Sequence, residues 1–317
     1  MRSSTFNLVA RAVLVASVAC TDSPVETPRP ASADITFSVE SDNELAVYMD
    51  ALNVQLEAQG APYRAAVAEY ITGPGGSEAG NTVLSKVVGN KHLTADFVPF
   101  DPRRAWSGPA TGPADDITYA IDQTGDAVPF FGGLSAAQTT AAIQAAMGTW
   151  DGVVCSTLPL TQNPDGGVDI GFIAFLNGLG GSPSIVADVQ HAGWRDINFA
   201  GGILGVTFTL IFVSGGVPTD IDNNGLADVA FREIYYDPSF SWANNGVANI
   251  DVQTVALHEA GHGLSQAHFG TIMRQDNGTL IIAPRAVMNA LYAGPLRALQ
   301  GTDDGGHCSN WANWPLG

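Results

Sequence analysis

Three histidines and one glutamate are the residues of this chain best suited to chemistry. His258 and His262 are four residues apart, so on a helix both imidazoles lie on one face and can reach one ion. Glu259 lies beside that face, where it can take a proton from a metal-bound water. His268, six residues after His262, adds a third nitrogen. Three neutral ligands and one open coordination position form a hydrolytic zinc site.

The sequence before the histidines predicts the helix that positions them. Asp251 is a good N-cap for a helix that begins at Val252. We expect this helix to end near Gly263 or Leu264, because a longer helix would carry His268 away from the other two rings. A turn must therefore follow the helix and bring His268 back to the ion.

The segment resembles the zinc-binding motif of the metzincin clan of zinc peptidases, and among them the matrixin-like members. Their motif, His-Glu-x-x-His-x-x-Gly-x-x-His, is matched by His258, Glu259, His262 and His268. The resemblance covers about residues 116–305. It implies an α+β catalytic domain with a twisted mixed β-sheet, an active-site helix and a methionine-containing turn beneath the metal.

One position departs from that motif. Ser265 stands where the family has its turn glycine. A left-handed backbone costs serine about 1 kcal/mol or more, whereas glycine adopts it freely. Either Gly263 moves the break earlier or Ser265 takes the strained conformation. Asp303 and Asp304 are alternative third ligands.

For the Met-turn we assign residues 286–289, Ala-Val-Met-Asn, with Met288 beneath the metal. Met273 is the alternative, but it follows His268 too closely to leave much chain for passing under the ion. With these parts the resemblance implies a zinc-dependent endopeptidase that uses metal-activated water, with Glu259 as general base.

Two other functions stay open. The chain could be a surface binding or adhesion protein whose metalloprotease-like domain is inactive. It could also be a zinc hydrolase that acts on a non-peptide amide. The predicted partner in the main interpretation is a protein or peptide substrate.

An acidic loop offers a second cation site. Side-chain oxygens alternate around a glycine turn at Asp220, Asp222, Asn224 and Asp228, which resembles the first nine positions of a calcium loop. The twelfth position is Phe231 instead of the glutamate of an EF-hand, and Glu233 lies two residues beyond. We predict a calcium-stabilised loop, with an Asx-rich turn between two strands as the alternative.

Composition excludes one class of partner. The chain has 31 Asp and Glu against 13 Lys and Arg, a formal net charge of −18, and no basic cluster. Phosphate backbones bind through clustered Lys and Arg, so nucleic acid is not an expected partner. Hydrophobic residues make up 45% of the chain, which suits a folded protein with a sizeable core.

The N-terminus is typical of an export signal. Arg2 and Arg11 precede the apolar run 12–19, which is too short to span a bilayer. A cut before Cys20 would leave a cysteine that can carry a lipid anchor, the only membrane contact expected. We therefore expect a bacterial protein that is secreted or lipid-anchored at the cell surface.

Two further cysteines fit an oxidising compartment. Cys155 and Cys308 form an even pair once Cys20 is set aside, so we predict a disulfide between them. The alternative is two buried thiols.

The domain organisation follows from composition. We predict an export signal over 1–20, a flexible tether over 21–33, a small N-terminal α+β unit over 34–100 that could be a propeptide, a Pro/Gly-rich linker over 101–115 and the zinc metallopeptidase domain over 116–317. Patterning predicts helices from residue 41 or 42 to 60 and over 136–150. It predicts strands at 63–72, 92–100, 117–121, 168–174, 205–213 and 229–236.

Overall fold

The computed structural model describes residues 39–73, 79–85, 95–104, 116–195, 202–247, 249–277 and 279–315. These residues belong to one compact unit, Ile35–Gly317. The predicted export signal, the tether and Cys20 lie outside the described residues. In the described part, no helix is both long enough and apolar enough to cross a membrane.

The described residues form five helices and thirteen strands. The helices are α1 (Val39–Ala58), α2 (Ala136–Asp151), α3 (Phe172–Leu176), α4 (Val252–Gly263) and α5 (Gly301–Trp311). The strands are β1 (Tyr63–Thr72), β2 (Thr82–Leu84), β3 (Ala95–Asp96), β4 (Ile117–Ile121), β5 (Leu160–Gln162), β6 (Val189–Trp194), β7 (Ile203–Ser214), β8 (Val217–Pro218), β9 (Ala227–Tyr236), β10 (Trp242–Ala243), β11 (Ile250–Asp251), β12 (Thr271–Arg274) and β13 (Leu280–Ala283).

One mixed sheet organises the protein. Its strands run in the order β2-β1-β7-β9-β6-β4-β5, with β3 beside β9 and β8 beside β7. β9, β6, β4 and β5 pair in parallel, whereas β7 is antiparallel to both of its neighbours, β9 and β1. The protein is therefore α+β with a mixed sheet, as the sequence predicts at this level.

Each face of the sheet is covered by its own apolar core. On one face, α2 and α4 pack with the buried residues of the first core, among them Trp150, Val255 and Leu257. On the other, α1 and α3 pack against Phe208 and Tyr235. Because both faces are covered, every residue of β9 is buried.

The helix α2 shows how local sequence sets these elements. Ser135 caps it in a reciprocal capping box with Gln138, and the helix covers the predicted residues. Its buried face ends at Trp150, whose indole Nε1 donates to the Leu257 carbonyl at 2.9 Å. This bond ties α2 to the histidine-bearing helix α4.

The N-terminal segment shares the sheet with the rest of the chain. The predicted strand over 63–72 is confirmed as β1, and it pairs with β7 from Tyr63↔Phe212 to Thr72↔Ile203. Strands from both sides of the predicted linker thus lie side by side, and no division between 34–100 and 116–317 is visible in the sheet. Residues 105–115 lie outside the described part. Removal of a propeptide stays a prediction.

The strand predicted over 168–174 is wrong. Gly171, with φ of 145°, breaks the chain there, and the short helix α3 begins at Phe172. The buried carboxylate of Glu233 accepts hydrogen bonds from the main-chain N–H groups of Phe172 (2.7 Å) and Ile173 (2.8 Å). A distant acceptor therefore satisfies the helix start, which local patterning does not reveal. Of the strand predicted over 92–100, the described part keeps only β3.

Candidate metal centre

Three imidazoles converge at the end of α4. The Nε2 of His262 lies 3.0 Å from that of His258 and 3.1 Å from that of His268. His258 and His262 are fully buried, and the three side chains form a group that could hold a metal ion. The structure therefore brings together all three histidines singled out in the sequence.

Main-chain carbonyls set the protonation of these rings. His258 Nδ1 lies 2.8 Å from the Val287 oxygen, and His262 Nδ1 lies 2.7 Å from the Gln266 oxygen. Because a carbonyl can only accept, Nδ1 carries the proton, and in a neutral ring Nε2 presents its lone pair. Burial lowers the pKa of all three rings, that of His258 to about 4.

This donor set fits a tetrahedral cation. The Nε2 lone pairs of His258 and His262 face each other without a shared proton, so they repel unless a positive charge lies between them. Nitrogens at the usual zinc distance, at tetrahedral angles, would lie about 3.3 Å apart. The observed separations of 3.0 and 3.1 Å are close to that spacing. Neutral imidazoles are also the protonation state that binds metal.

Ser265 makes the turn that returns His268 to the other rings. The helix α4 ends at Gly263, Leu264 is its C-cap, and Ser265 takes a left-handed backbone with φ of 63°. Arg232 Nη1 donates to the Ser265 hydroxyl at 2.8 Å and to the Gly263 carbonyl at 2.9 Å. Of the two alternatives left by the sequence, the strained serine is therefore the one found.

Glu259 is the candidate base, and its carboxylate is fully buried. Thr207 Oγ1 donates to its Oε2 at 2.7 Å. Its Oε1 has no hydrogen-bond partner within the described part of the chain, which leaves an acceptor position open. Burial raises the pKa of Glu259 well above its ordinary value, and the Thr207 hydroxyl partly opposes this. Gly205 of β7 lies against the side chain, where a β-carbon would come within 3.0 Å of it.

Met288 packs beneath α4. A β-carbon on Gly261 would overlap the Met288 sulfur, so the two residues lie in direct contact. The Asp303 carboxylate accepts hydrogen bonds from the main-chain N–H groups of Val287 (2.9 Å) and Met288 (3.1 Å). Met273, the alternative, lies on β12 with 47% of its surface exposed. Met288 is thus the methionine that contacts the histidine helix.

Asp303 and Asp304, the alternative third ligands, do not lie among the three imidazoles. Asp303 is occupied by the main-chain N–H groups that it accepts from. Asp304 does not belong to the group of converging donors, which consists of His258, His262 and His268. The sequence gives no sign that Asp303 positions residues 287–288, because this role depends on how α5 docks.

The strand β1 covers the site. Ile71 of β1 pairs with Gly205, the glycine of β7 that lies against the Glu259 side chain. The Glu69 carboxylate lies 3.4 Å from His262 Nδ1. Burial raises the pKa of Glu69 to about 7, although nearby Arg232 opposes the rise. Sequence reasoning missed these contacts, since they depend on strand pairing between distant segments.

The acidic loop forms a second candidate cation site. Carboxylate oxygens of Asp220, Asp222 and Asp228 lie within 4.8 Å of one another. Asn224 does not join them through its oxygen, which accepts from the Leu226 N–H at 2.8 Å. On the other side, Arg103 Nη2 lies 2.6 Å from Asp228 Oδ2. A guanidinium thus already neutralises part of this cluster.

Phe231 and Glu233, at and two residues beyond the twelfth position of an EF-hand loop, do not belong to the acidic cluster. Phe231 lies in β9 and is fully buried in the second apolar core. Glu233 also lies in β9, and its carboxylate binds the start of α3. Neither side chain can complete a calcium shell in the loop. A second acidic group, Asp122, Asp126 and Asp169, surrounds the buried guanidinium of Arg195.

The predicted disulfide is confirmed. Cys155, after α2, is bonded to Cys308 of α5, with Cα atoms 5.6 Å apart and a sequence separation of 153. The bond fixes α5, and α5 carries Asp303 to the turn at Met288. The cross-link therefore supports the floor of the candidate metal centre.

Comparison with known proteins gives no family assignment for this chain. No protein-family model matches the sequence, and no curated protein matches it.

Proposed function

We propose that this protein is a zinc-dependent endopeptidase of the metzincin type. The observation that carries the proposal is the convergence of three Nε2 atoms beside the buried Glu259 carboxylate, whose Oε1 has no partner among the described residues. Three imidazole ligands leave one coordination position of zinc open for water or substrate.

The chemistry divides between ion and protein. Zinc, when bound, would lower the pKa of a coordinated water and polarise the scissile carbonyl. Glu259 would accept a proton from the attacking water and deliver it to the leaving amine. The Thr207 hydroxyl, 2.7 Å from Oε2, keeps the carboxylate turned so that Oε1 is available. The main-chain partners of His258 and His262 hold their rings so that the Nε2 atoms would be available to the metal.

Replacing Glu259 tests the proposal. Zinc-loaded protein should cut a denatured protein internally, as new N-termini identified by mass spectrometry. Glu259→Gln keeps the three imidazoles, so it should bind one zinc per chain and lose at least about 10²-fold in cleavage rate, the usual contribution of a general base. Glu57→Gln, on the exposed side of α1, is the matched control and should cleave normally.

The same experiment separates the alternatives. A surface binding protein with an inactive metalloprotease-like domain would bind zinc and cut nothing. A hydrolase of non-peptide amides would leave the denatured protein intact and release amine from small amides in a manner that depends on Glu259. Cleavage of the denatured protein at an equal rate by the Glu259→Gln protein would contradict the proposal.

Export, lipid attachment at Cys20 and calcium in the acidic loop stay predictions. The intact mass of the protein recovered from its host would report signal removal and lipidation. Calcium binding should raise the melting temperature, and Asp222→Asn should reduce that effect. Asp222 is the member of the cluster exposed to solvent, so its replacement disturbs little of the fold.

A further inference from the structure

We infer that a cavity lined by β1 and α5 is a binding site for a guanidinium cation, the chemical group of an arginine side chain. The walls of this α5 cavity come from β1, β3 and β9, from the turn 265–267 and from the end of α5 with Trp314. It encloses about 470 Å³, a volume that suits a small organic ligand. The three converging imidazoles do not line it, so the inference goes beyond the proposed endopeptidase.

The walls of the α5 cavity carry more negative than positive charge. Its two carboxylates are Glu69 of β1 and Asp96 of β3, and its one cation among the described residues is Arg232 of β9. The N–H groups of Arg232 donate to neither carboxylate. One further positive charge would therefore balance the walls.

Arg232 is already held by the protein. Its Nε donates to the Thr209 hydroxyl at 3.1 Å, and its Nη1 donates to the Gly263 carbonyl and the Ser265 hydroxyl. Its Nη2 donates to the Ala95 carbonyl at 3.2 Å. Four of the five N–H groups of this guanidinium are thus used within the protein. Arg232 has little left with which to bind an anion.

The two carboxylates, in contrast, have acceptor positions left. The contacts of the Glu69 side chain with Thr82 Oγ1 at 3.2 Å and with His262 Nδ1 at 3.4 Å are both made by Oε1. Asp96 accepts from Asn224 through Oδ2, while its buried Oδ1 has no hydrogen-bond partner in the part of the chain that the structure describes. Because Glu69 is only 9% exposed, an unbalanced charge there is costly. A ligand that brings both N–H donors and a positive charge removes this cost.

Aromatic rings make the α5 cavity suitable for an organic cation. Trp311 and Trp314 both line it, with ring centres 5.1 Å apart. A guanidinium stacks on aromatic faces and pairs with carboxylates through its edge, and it is more weakly hydrated than an ammonium. The cavity wall already contains such a contact, since the Arg232 guanidinium lies 5.0 Å from the centre of the Phe97 ring.

A ligand can reach the α5 cavity from solvent. Ala267, Ser309 and Asn310 line it and are exposed. The formal charge of −18 on the chain also attracts cations to the protein. A free alkylguanidine and an arginine side chain of a polypeptide share the required chemistry.

Titration of the full chain with n-butylguanidinium tests the inference, with n-butylurea as a neutral ligand of the same shape. The chain has six tryptophans, so ¹⁵N-tryptophan labelling gives few indole N–H signals for NMR. The variants Trp311→Phe and Trp314→Phe assign the two signals from the cavity. Butylguanidinium should shift both to saturation, and butylurea should bind at least about 10-fold more weakly because it brings no charge. Since a guanidinium has no free lone pair, it does not ligate zinc.

Two variants remove a charge while keeping the shape of the α5 cavity. Glu69→Gln should weaken butylguanidinium binding at least about 10-fold and leave butylurea binding within about 2-fold, whereas a general loss of structure would weaken both. Asp96→Asn should act in the same direction, and it tests the site independently if Glu69→Gln does not fold. Glu57→Gln, the matched replacement on the exposed side of α1, should bind butylguanidinium as the wild type does.

A capped pentapeptide with a central arginine identifies the source of the cation, and the same peptide with citrulline is its neutral match. If the arginine peptide shifts the Trp311 and Trp314 signals and the citrulline peptide does not, the cavity accepts the side chain of a polypeptide. If butylguanidinium binds and neither peptide does, the cavity takes a free small cation.

Three results would overturn the inference. Equal binding of butylguanidinium and butylurea would show a cavity that does not recognise charge. Movement of all indole signals without saturation would show general attraction to an acidic surface. Butylguanidinium affinity that is unchanged in both Glu69→Gln and Asp96→Asn would remove the carboxylates from the site. Peptide cleavage is measured separately, so a failure here leaves the proposed endopeptidase standing.

Discussion

Gly261 and Met288 are in direct contact, with the glycine of the histidine helix resting on the methionine sulfur. A β-carbon at Gly261 would overlap that sulfur, and Trp150 closes the same space at 2.9 Å. Gly261 therefore lets α4 lie close to the turn whose Val287 carbonyl accepts from His258. The motif's variable positions between the two helical histidines are thus constrained in this protein by packing.

Gly261→Ala should destabilise the protein by about 1–3 kcal/mol, the usual cost of overpacking a core. Equilibrium unfolding in urea measures this. Gly148→Ala is the control, because Gly148 lies in α2 with open space around it; it should be neutral or stabilising by about 0.5–1 kcal/mol. The double variant Gly261→Ala/Met288→Ala should lose less stability than the sum of the losses in the two single variants. Removal of the thioether makes room for the new methyl group. Strict additivity would show that the two side chains do not meet.

Asp303 and Asp304 should behave differently although they are adjacent. The Val287 N–H donates to Oδ2 of Asp303 and the Met288 N–H to Oδ1, so Asp303→Asn replaces one of these acceptors by an NH₂ group and should cost about 2–3 kcal/mol. Because Val287 also holds His258, zinc affinity should fall about 10-fold or more. Asp304→Asn, which lacks these contacts, should change stability by under about 0.5 kcal/mol. Competition with a chelator measures the affinity, and equal effects of the two replacements would refute the assignment.

The chemistry-bearing residues were readable from sequence because their spacing is local. The positions of His258 and His262 follow from helical periodicity, and Asp251 caps α4 as predicted, accepting from the Thr254 N–H at 3.0 Å. The acidic loop is local in the same way. In each case the geometry is set within a dozen residues, so patterning contains the information.

What the sequence could not supply depends on long-range pairing. β6 was not predicted as a strand, because Val189–Trp194 contains His, Ala and Gly and is buried only through its neighbours β4 and β9. The same holds for α3, whose start is satisfied by Glu233 from β9. The position of β1 over Glu259 also follows from pairing with β7, about 140 residues away in sequence.

Two variants of Ser265 should reveal how much stability its left-handed backbone conformation costs. Ser265→Gly relieves a left-handed conformation but loses the hydroxyl bonded to Arg232, so the net change should be small. Ser265→Ala keeps the strain and loses the same bond, and it should be about 1 kcal/mol less stable than Ser265→Gly. Urea unfolding of the two variants gives the difference. Equal stabilities would mean that the backbone at this turn bears no strain.

The disulfide should be a major source of stability. Closing a loop of 153 residues lowers the entropy of the unfolded chain, and the model of this effect gives up to about 5 kcal/mol. Cys155→Ala/Cys308→Ala should therefore unfold at a lower urea concentration than the wild type. Reductant should produce a similar loss in the wild type and none in the double variant. Loss of the α5 anchor should also weaken zinc binding through Asp303.

His191 should make the metal-free protein sensitive to acid. It is fully buried on β6, and burial lowers its pKa to about 3. Its Nδ1 lies 2.8 Å from the Tyr236 hydroxyl, and its Nε2 has no partner among the described residues. The ring is therefore neutral in the folded state wherever an unfolded histidine, with a pKa near 6.5, takes up a proton.

Because the pKa of His191 is lower in the folded than in the unfolded protein, acid should destabilise the fold. Above pH 6.5 both states are neutral at His191 and its contribution is fully present. As the pH falls from about 6.5 to about 3, the unfolded state binds one more proton, and stability drops by up to about 1.4 kcal/mol per pH unit. His191→Gln cannot titrate, so its unfolding free energy should fall less steeply over this window. Urea unfolding at a series of pH values gives both slopes, and parallel curves would show that His191 is protonated alike in the folded and unfolded protein.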